Sequence, residues 1–337
     1  MAAHGATVLG CEGAALTEAE RAFFRAADPW GFILFKRNIE DPAQLRRLTS
    51  DLREAVGRDA VVMIDQEGGR VARLRPPHWR AWPDPRAQID AVGPERAARA
   101  MWLRYRLMAH EMRAVGIDCD CAPVADLRGP DTHPFLDYRC YGDTVETVVE
   151  IAGAVAQALL SGGVLPVMKH LPGHGRANAD THHDLPEVTA APEVLEATDF
   201  ATFRALNTLP MAMSAHVIFP AWDQTRPATQ SPEMIRVMRE VIGFGGLLLT
   251  DDLSMEALSG TIADRARFAV EAGCDIALHC NGVLAEMEAV AEVSGRLSPQ
   301  GAVRAEAALA ARQIPDPIDI RALEAELEGL MTGPGNV

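Results

Sequence analysis

The chain has 337 residues and a formal net charge of −15 at pH 7. That balance repels a phosphate backbone, and no Lys/Arg run offsets it, so no nucleic-acid partner is expected. Hydrophobic residues make up 48% and aromatics 5%, the composition of an ordinary globular protein rather than a disordered or fibrous one.

No apolar stretch approaches the roughly 18 residues a membrane span needs. The N-terminal MAAHGATVLGCEG lacks a basic region followed by an apolar one. A cytoplasmic protein without a membrane partner is the expectation. The six cysteines (Cys11, Cys119, Cys121, Cys140, Cys274 and Cys280) sit mostly in apolar runs, which suits small buried hydrophobes better than a disulfide framework. Cys119 and Cys121 form a C-x-C pair with no second pair to complete a metal site.

In chain order, a first apolar run at 7–11 is followed by Thr17 and Glu20, spaced as a capping box that starts a helix. A second run at 31–35 leads to Asp41 and Pro42, a cap and a first helical position. The third run is 60–64. Gly116, a helix stop, precedes the fourth at 118–123, and the fifth is 165–169. The stretch 171–192 has no periodicity, and a loop of that length in a compact domain is usually functional. Then come 211–215, a helix start at Ser231–Pro232, a run at 246–250, a stop at Gly273 and a last run at 275–280. One more amphipathic helix is expected in the tail after Pro315.

Eight apolar runs alternating with helical segments predict a parallel sheet wrapped by helices. With no Gly-x-Gly-x-x-Gly after the first run, the reading is a single (β/α)8 barrel over 1–337, with a short helical tail from about 315. In such barrels the reactive groups project from the C-terminal ends of the strands. The polar residues there are Asp65 with Glu67, Asp126, Lys169 with His170, His216, Asp251 with Asp252, and Asn281. Any one alone fits a buried, hydrogen-bonded cap; their common position points to a site. The loop KHLPGHGRANADTHHDLP, 169–186, gathers one Lys, four His and two Asp. There His174 reads first as a pin for the loop, and His183 as solvent-facing.

The motifs KHLPGHG with DTH, DQEGGRV (65–71), APVAD (122–126), SAHVIFPA (214–221) and TDDLSM (250–255) together resemble glycoside hydrolase family 3. Within it, the likeness is to the single-domain β-N-acetylglucosaminidases of bacterial cell-wall recycling. The resemblance implies that Asp251 attacks the anomeric carbon and that His182, oriented by Asp180, is the acid/base. It also implies that Asp65, Arg73, Arg139, Lys169 and His170 contact sugar hydroxyls. The dyad here reads D-T-H where D-S-H is commoner, and Gln66 stands where His is common. The implied substrates are muropeptides with terminal GlcNAc on anhydro-N-acetylmuramic acid, acted on by a monomer that needs no cofactor or metal.

The chemistry is coherent in itself: a retaining glycosidase needs one group to attack the sugar carbon and another to protonate the leaving oxygen and then deprotonate water. A His suits the second role near neutral pH because its ordinary pKa is about 6.5. Asp251 must stay ionised, which Lys169 or a nearby Arg would favour. Asp252 is expected to cap a helix beginning near Ser254, and His174 is the fallback proton donor. Three rivals are a β-N-acetylglucosaminide phosphorylase, a zinc-type barrel hydrolase using Lys169, His170, His216 and an Asp, and a sugar-binding barrel that has lost the reaction.

Overall fold

The computed structural model describes residues 4–177 and 185–332. Among the described residues ten strands occur in chain order: β1 (Gly5–Leu9), β2 (Pro29–Leu34), β3 (Val61–Ile64), β4 (Cys119–Asp120), β5 (Leu165–Leu171), β6 (Met211–Ser214), β7 (Ile218–Phe219), β8 (Asp223–Pro227), β9 (Leu247–Leu249) and β10 (Ala277–His279). Eight of them form one sheet in the order β10-β1-β2-β3-β4-β5-β6-β9, with every neighbouring pair parallel. The two edges meet: Leu249 bridges Ile276 in parallel, and the Leu278 N–H donates to Thr250 Oγ1 at 2.9 Å. The sheet thus closes into the expected (β/α)8 barrel.

Each expected run overlaps one barrel strand. At 118–123 only Cys119 and Asp120 form regular ladder, and just beyond it the Gln66 N–H is taken by the Asp120 side chain at 2.9 Å. The antiparallel hairpin β7–β8 lacks a periodic signal in the sequence: β7 is two residues long and β8 reads DQTRP, largely exposed.

Two side-chain layers explain why the runs are apolar throughout. Along β2, Ile33 belongs to the barrel interior while Phe32 and Leu34 face the helices. The same alternation holds for Val61 and Met63 against Val62 and Ile64, and for Leu247 and Leu249 against Leu248. A period of two puts alternate residues on opposite faces, and here both faces are dry. All six cysteines are buried and free.

The helix starts follow their caps. Thr17 Oγ1 accepts the Glu20 N–H at 3.2 Å, and Glu20 returns a bond to the Thr17 N–H at 2.9 Å. Asp41 Oδ1 accepts from Ala43 and Gln44, and Ser231 Oγ from Met234. Gly273, at φ +116°, ends the helix Ile262–Ala272. Gly116 is instead a turn residue at φ +80°, since the helix Pro94–Arg113 has already closed at Ala114. The expected tail helix is Ile320–Thr332; Glu324 and Glu326 pair with Arg80 and Arg99. No described helix is long and apolar enough to cross a membrane.

Candidate active site

A cavity of about 340 Å³ opens at the C-terminal mouth of the barrel, lined by residues that include Phe35, Asp65, Arg73, Arg139, Lys169, His170 and Asp251. Its volume is at the small end of the ~300–1,000 Å³ typical of ligand pockets. The inward alternation of the strands delivers several of these side chains. Inward Val61 and Met63 are followed two residues on by Asp65, Leu165 and Val167 by Lys169, and Leu247 and Leu249 by Asp251. His170 lines the same cavity as its neighbour Lys169; the pairing of β5 with β6 shifts register between Met168 and Leu171, the kind of irregularity that re-aims a side chain.

Four of the expected sugar contacts form one ionic network with a residue outside that set, Glu67. Lys169 Nζ lies 3.1 Å from Asp65 Oδ1 and 2.6 Å from Glu67 Oε1. Arg139 grips Glu67 through both oxygens at 2.8 and 2.9 Å, and Arg73 reaches Asp65 Oδ2 at 3.1 Å. Burial alone would raise both acids, but Lys169 and Arg73 hold Asp65 well below the usual carboxylate range, and Arg139 and Lys169 hold Glu67 at about 2. The same carboxylates push Lys169 upward against its own desolvation. These cations are therefore fixed donors rather than proton shuttles.

The backbone under this network needs glycine. Gly68 and Gly69 have φ +107° and +55°, and a Cβ on Gly68 would stand 2.7 Å from Pro83 O. Arg104, from the helix Pro94–Arg113, donates to the carbonyls of Glu67 and Pro83 from below. Gln66 Oε1 accepts the N–H groups of Arg73 and Leu74, which ties the two ends of this loop together.

On the other wall, Asp126 Oδ2 lies 2.7 Å from His170 Nδ1, and its Oδ1 accepts the His174 N–H at 2.7 Å. His174 Nδ1 has no hydrogen-bond partner among the described residues. Burial, with His170 beside it, lowers His174 to about 4, so the ring is neutral at pH 7 and cannot serve there as the fallback proton donor.

Asp251 is half-buried at the cavity wall, with its Oδ1 accepting the Asp252 N–H at 2.8 Å. Its pKa is lowered: burial opposes ionisation, but His170 first, then His216, the Asp252 N–H and, last, Lys169 outweigh it. The expectation that Lys169 or an arginine keeps Asp251 ionised is thus corrected in weight, because Lys169 is spent on two nearer carboxylates. Asp252 does not cap a helix near Ser254; residues 251–259 form turns, and the next helix begins at Ile262 behind Thr261. The Asp252 carboxylate instead accepts from Ser254 N, Ser254 Oγ and Cys280 N, pinning this loop to the residue just after β10. Sequence reasoning passed over Phe35, Arg70, Met213 and Tyr138 in the wall, since none of them is a polar residue directly after an apolar run. Asp180 and His182 lie outside the described residues.

Among the described residues no group of His, Cys, Asp or Glu could hold a metal ion. His216, invoked in the zinc reading, has Nδ1 on Thr229 and Nε2 on the Asp252 carbonyl.

Ionised carboxylates and fixed cations around a small cavity at the barrel mouth suit a polyhydroxylated ligand, and a half-buried carboxylate at its wall suits chemistry on it. The protein is in this sense a barrel hydrolase of the glycosidase type. The family model "Glycosyl hydrolase family 3 N terminal domain" matches residues 14–310. The chain belongs to glycoside hydrolase family 3. It is 38% identical over 285 residues to a beta-hexosaminidase of Alkalilimnicola ehrlichii, covering 82% of this chain and 81% of that one. A beta-hexosaminidase of Pseudomonas aeruginosa is 37% identical over 282 residues, covering 82% of each. Among solved structures, NagZ from Neisseria gonorrhoeae in complex with N-trifluoroacetyl-D-glucosamine superposes with a TM-score of 0.82 at 30% identity, covering 98% of this chain and 96% of that one.

Proposed function

We propose that this protein is a retaining exo-β-N-acetylglucosaminidase that removes terminal GlcNAc from peptidoglycan-derived muropeptides in the cytoplasm. The observation that carries the reading is the position of Asp251: a carboxylate kept ionised at the wall of the cavity that Asp65, Arg73, Arg139, Lys169 and His170 also line. The beta-hexosaminidase names of the relatives and the N-acylglucosamine analogue on the neisserial neighbour support the sugar class.

The five polar side chains orient the ring through its hydroxyls. One Asp251 oxygen bonds to C1 as the C1–O glycosidic bond breaks, and the leaving oxygen takes the proton of His182, which Asp180 orients. Water then attacks C1, gives its proton to His182, and the C1–Asp251 ester bond breaks, so β configuration is retained.

The test is hydrolysis of p-nitrophenyl β-GlcNAc against the β-glucoside and β-GalNAc, with the anomer released followed by NMR and with phosphate present or absent. β-GlcNAc as first product from the GlcNAc substrate, unchanged by phosphate, is the expected result. A sugar 1-phosphate would make the enzyme a phosphorylase, and an α product would remove the covalent mechanism.

A further inference from the structure

His216 does not line the cavity, yet its ring is fully buried directly after β6 with both nitrogens engaged. Nε2 stands 3.0 Å from Asp252 O, and Nδ1 stands 2.9 Å from Thr229 Oγ1. A peptide oxygen can only accept, so Nε2 carries a proton. The ring is out of reach of water, and desolvation disfavours its charged form against the pull of Asp251 and Asp252. In a neutral imidazole the other nitrogen is bare. Nδ1 therefore accepts the one proton of the Thr229 hydroxyl, and Thr229 Oγ1 in turn accepts from Ser214 Oγ, 2.8 Å away. Ser214, Thr229 and His216 are all fully buried, so no water competes for these bonds.

We propose that His216 is a positioning residue for the nucleophile. The chain Ser214 to Thr229 to His216 fixes the Nε2–H tautomer, and that N–H holds the carbonyl of Asp252. The N–H of the same residue is bonded to Asp251 Oδ1, so the attacking carboxylate is aimed through residue 252 from the barrel wall. Thr229 Oγ1 also lies 3.0 Å from Ala215 O, which defines the competing arrangement. An imidazolium would donate from both nitrogens, and Thr229 would turn its proton to Ala215. The groups that bias this choice are Asp251 and Asp252, which favour the cation, and His170, which opposes it.

The inference rests on Asp251 as the nucleophile and is tested on the full chain in two ways. Long-range 1H–15N NMR of the imidazoles at pH 7 should show His216 neutral and protonated at Nε2. Thr229→Val removes the donor to Nδ1; it should move the His216 Nδ1 15N shift to that of a bare nitrogen without a hydrogen bond and lower kcat on p-nitrophenyl β-GlcNAc on the order of tenfold with little change in KM, as expected for a misaimed reacting group. Thr229→Ser should restore both. A wild-type spectrum showing the Nδ1–H tautomer or the imidazolium overturns the proposal even if Thr229→Val fails to fold, and so does a folded Thr229→Val enzyme with wild-type kcat. If Asp251→Asn stays active, the nucleophile assignment fails instead, whatever the His216 spectrum shows.

Discussion

At the residue scale, the site separates groups that hold charge from groups that move it. Asp251→Asn keeps the shape of the side chain but cannot form a stable glycosyl ester. It should lower kcat by about 10³-fold or more while leaving the unfolding midpoint near that of wild type; a variant within tenfold of wild type would place the nucleophile elsewhere. Asp251 is lowered by His170, His216 and the Asp252 N–H, so on the proposed mechanism activity should depend on a carboxylate that remains ionised to unusually low pH. The acidic limb of the kcat/KM profile, measured on protein still folded, should therefore fall below the ordinary Asp value of ~3.9. On the proposed mechanism, His182→Ala should separate the two chemical steps. Nitrophenolate leaves without protonation, whereas deglycosylation still needs a base, so the p-nitrophenyl substrate should give a burst, a lowered KM and a GlcNAc adduct on the protein by mass. Added azide needs no base and should restore turnover. Equal slowing of nitrophenyl and disaccharide substrates, with no burst and no rescue, would make His182 a binding residue.

At the element scale, the two ends of the barrel do different work. At the strand starts, buried Asp118 accepts the Val62 N–H at 2.8 Å and pairs with Arg53 and Arg312. Buried Asp275 pairs with Arg239 and Arg304 and accepts the Leu248 N–H. These clasps tie neighbouring strands and the helices behind them far from the cavity, as expected of the N-terminal face of such barrels. Asp118→Asn should destabilise the protein by about 1–3 kcal/mol, the range for a broken buried hydrogen bond with charged partners, measured by urea unfolding. The kcat and KM of the folded variant should match wild type, and a tenfold loss in either would show coupling between the two faces. The loops at the strand ends carry the opposite bias. Between Asp251 and Gly260 the chain makes only turns, held by the Asp252 carboxylate and by Arg265 on the carbonyls of Leu253 and Met255.

For the molecule as a whole, the buried network of Asp65, Glu67, Arg139 and Lys169 links folding to pH. Glu67 has a folded pKa of about 2 against an unfolded value of ~4.3. A depressed acid stabilises the fold fully above its unfolded pKa, and that stability is lost as pH falls toward the folded pKa. Asp65 shifts in the same direction. Stability from these groups should thus be level from pH 7 to 5 and drop between about pH 4 and 2. Glu67→Gln removes part of that drop, and by leaving Arg139 and Lys169 short of a counter-charge it should cost about 3–5 kcal/mol at pH 7. Thermal unfolding across pH 2–7 checks both, and an unchanged acid slope in the variant would move the linkage to other carboxylates.

The eight runs, their order and the mouth residues could be read from the sequence because they depend on local periodicity. A strand buried on both faces is apolar throughout, and the first polar residue after it marks the barrel mouth. Caps such as Thr17–Glu20 and Asp41–Pro42 were legible for the same reason, since every atom involved lies within one helical turn. The partners of the charged groups were not legible. Nothing near Glu67 in the chain announces that Lys169 and Arg139 will share it, nor that His170 rather than Lys169 will do most to keep Asp251 ionised. Asp252 was misread, and His174 was named as a fallback acid, because the behaviour of both depends on burial and on neighbours distant in sequence: buried His174 is held neutral, and Asp252 accepts from the Cys280 N–H just after β10 rather than capping a helix. Periodicity is a property of consecutive residues, whereas desolvation and Coulomb pairing depend on distances that exist only once the barrel has closed.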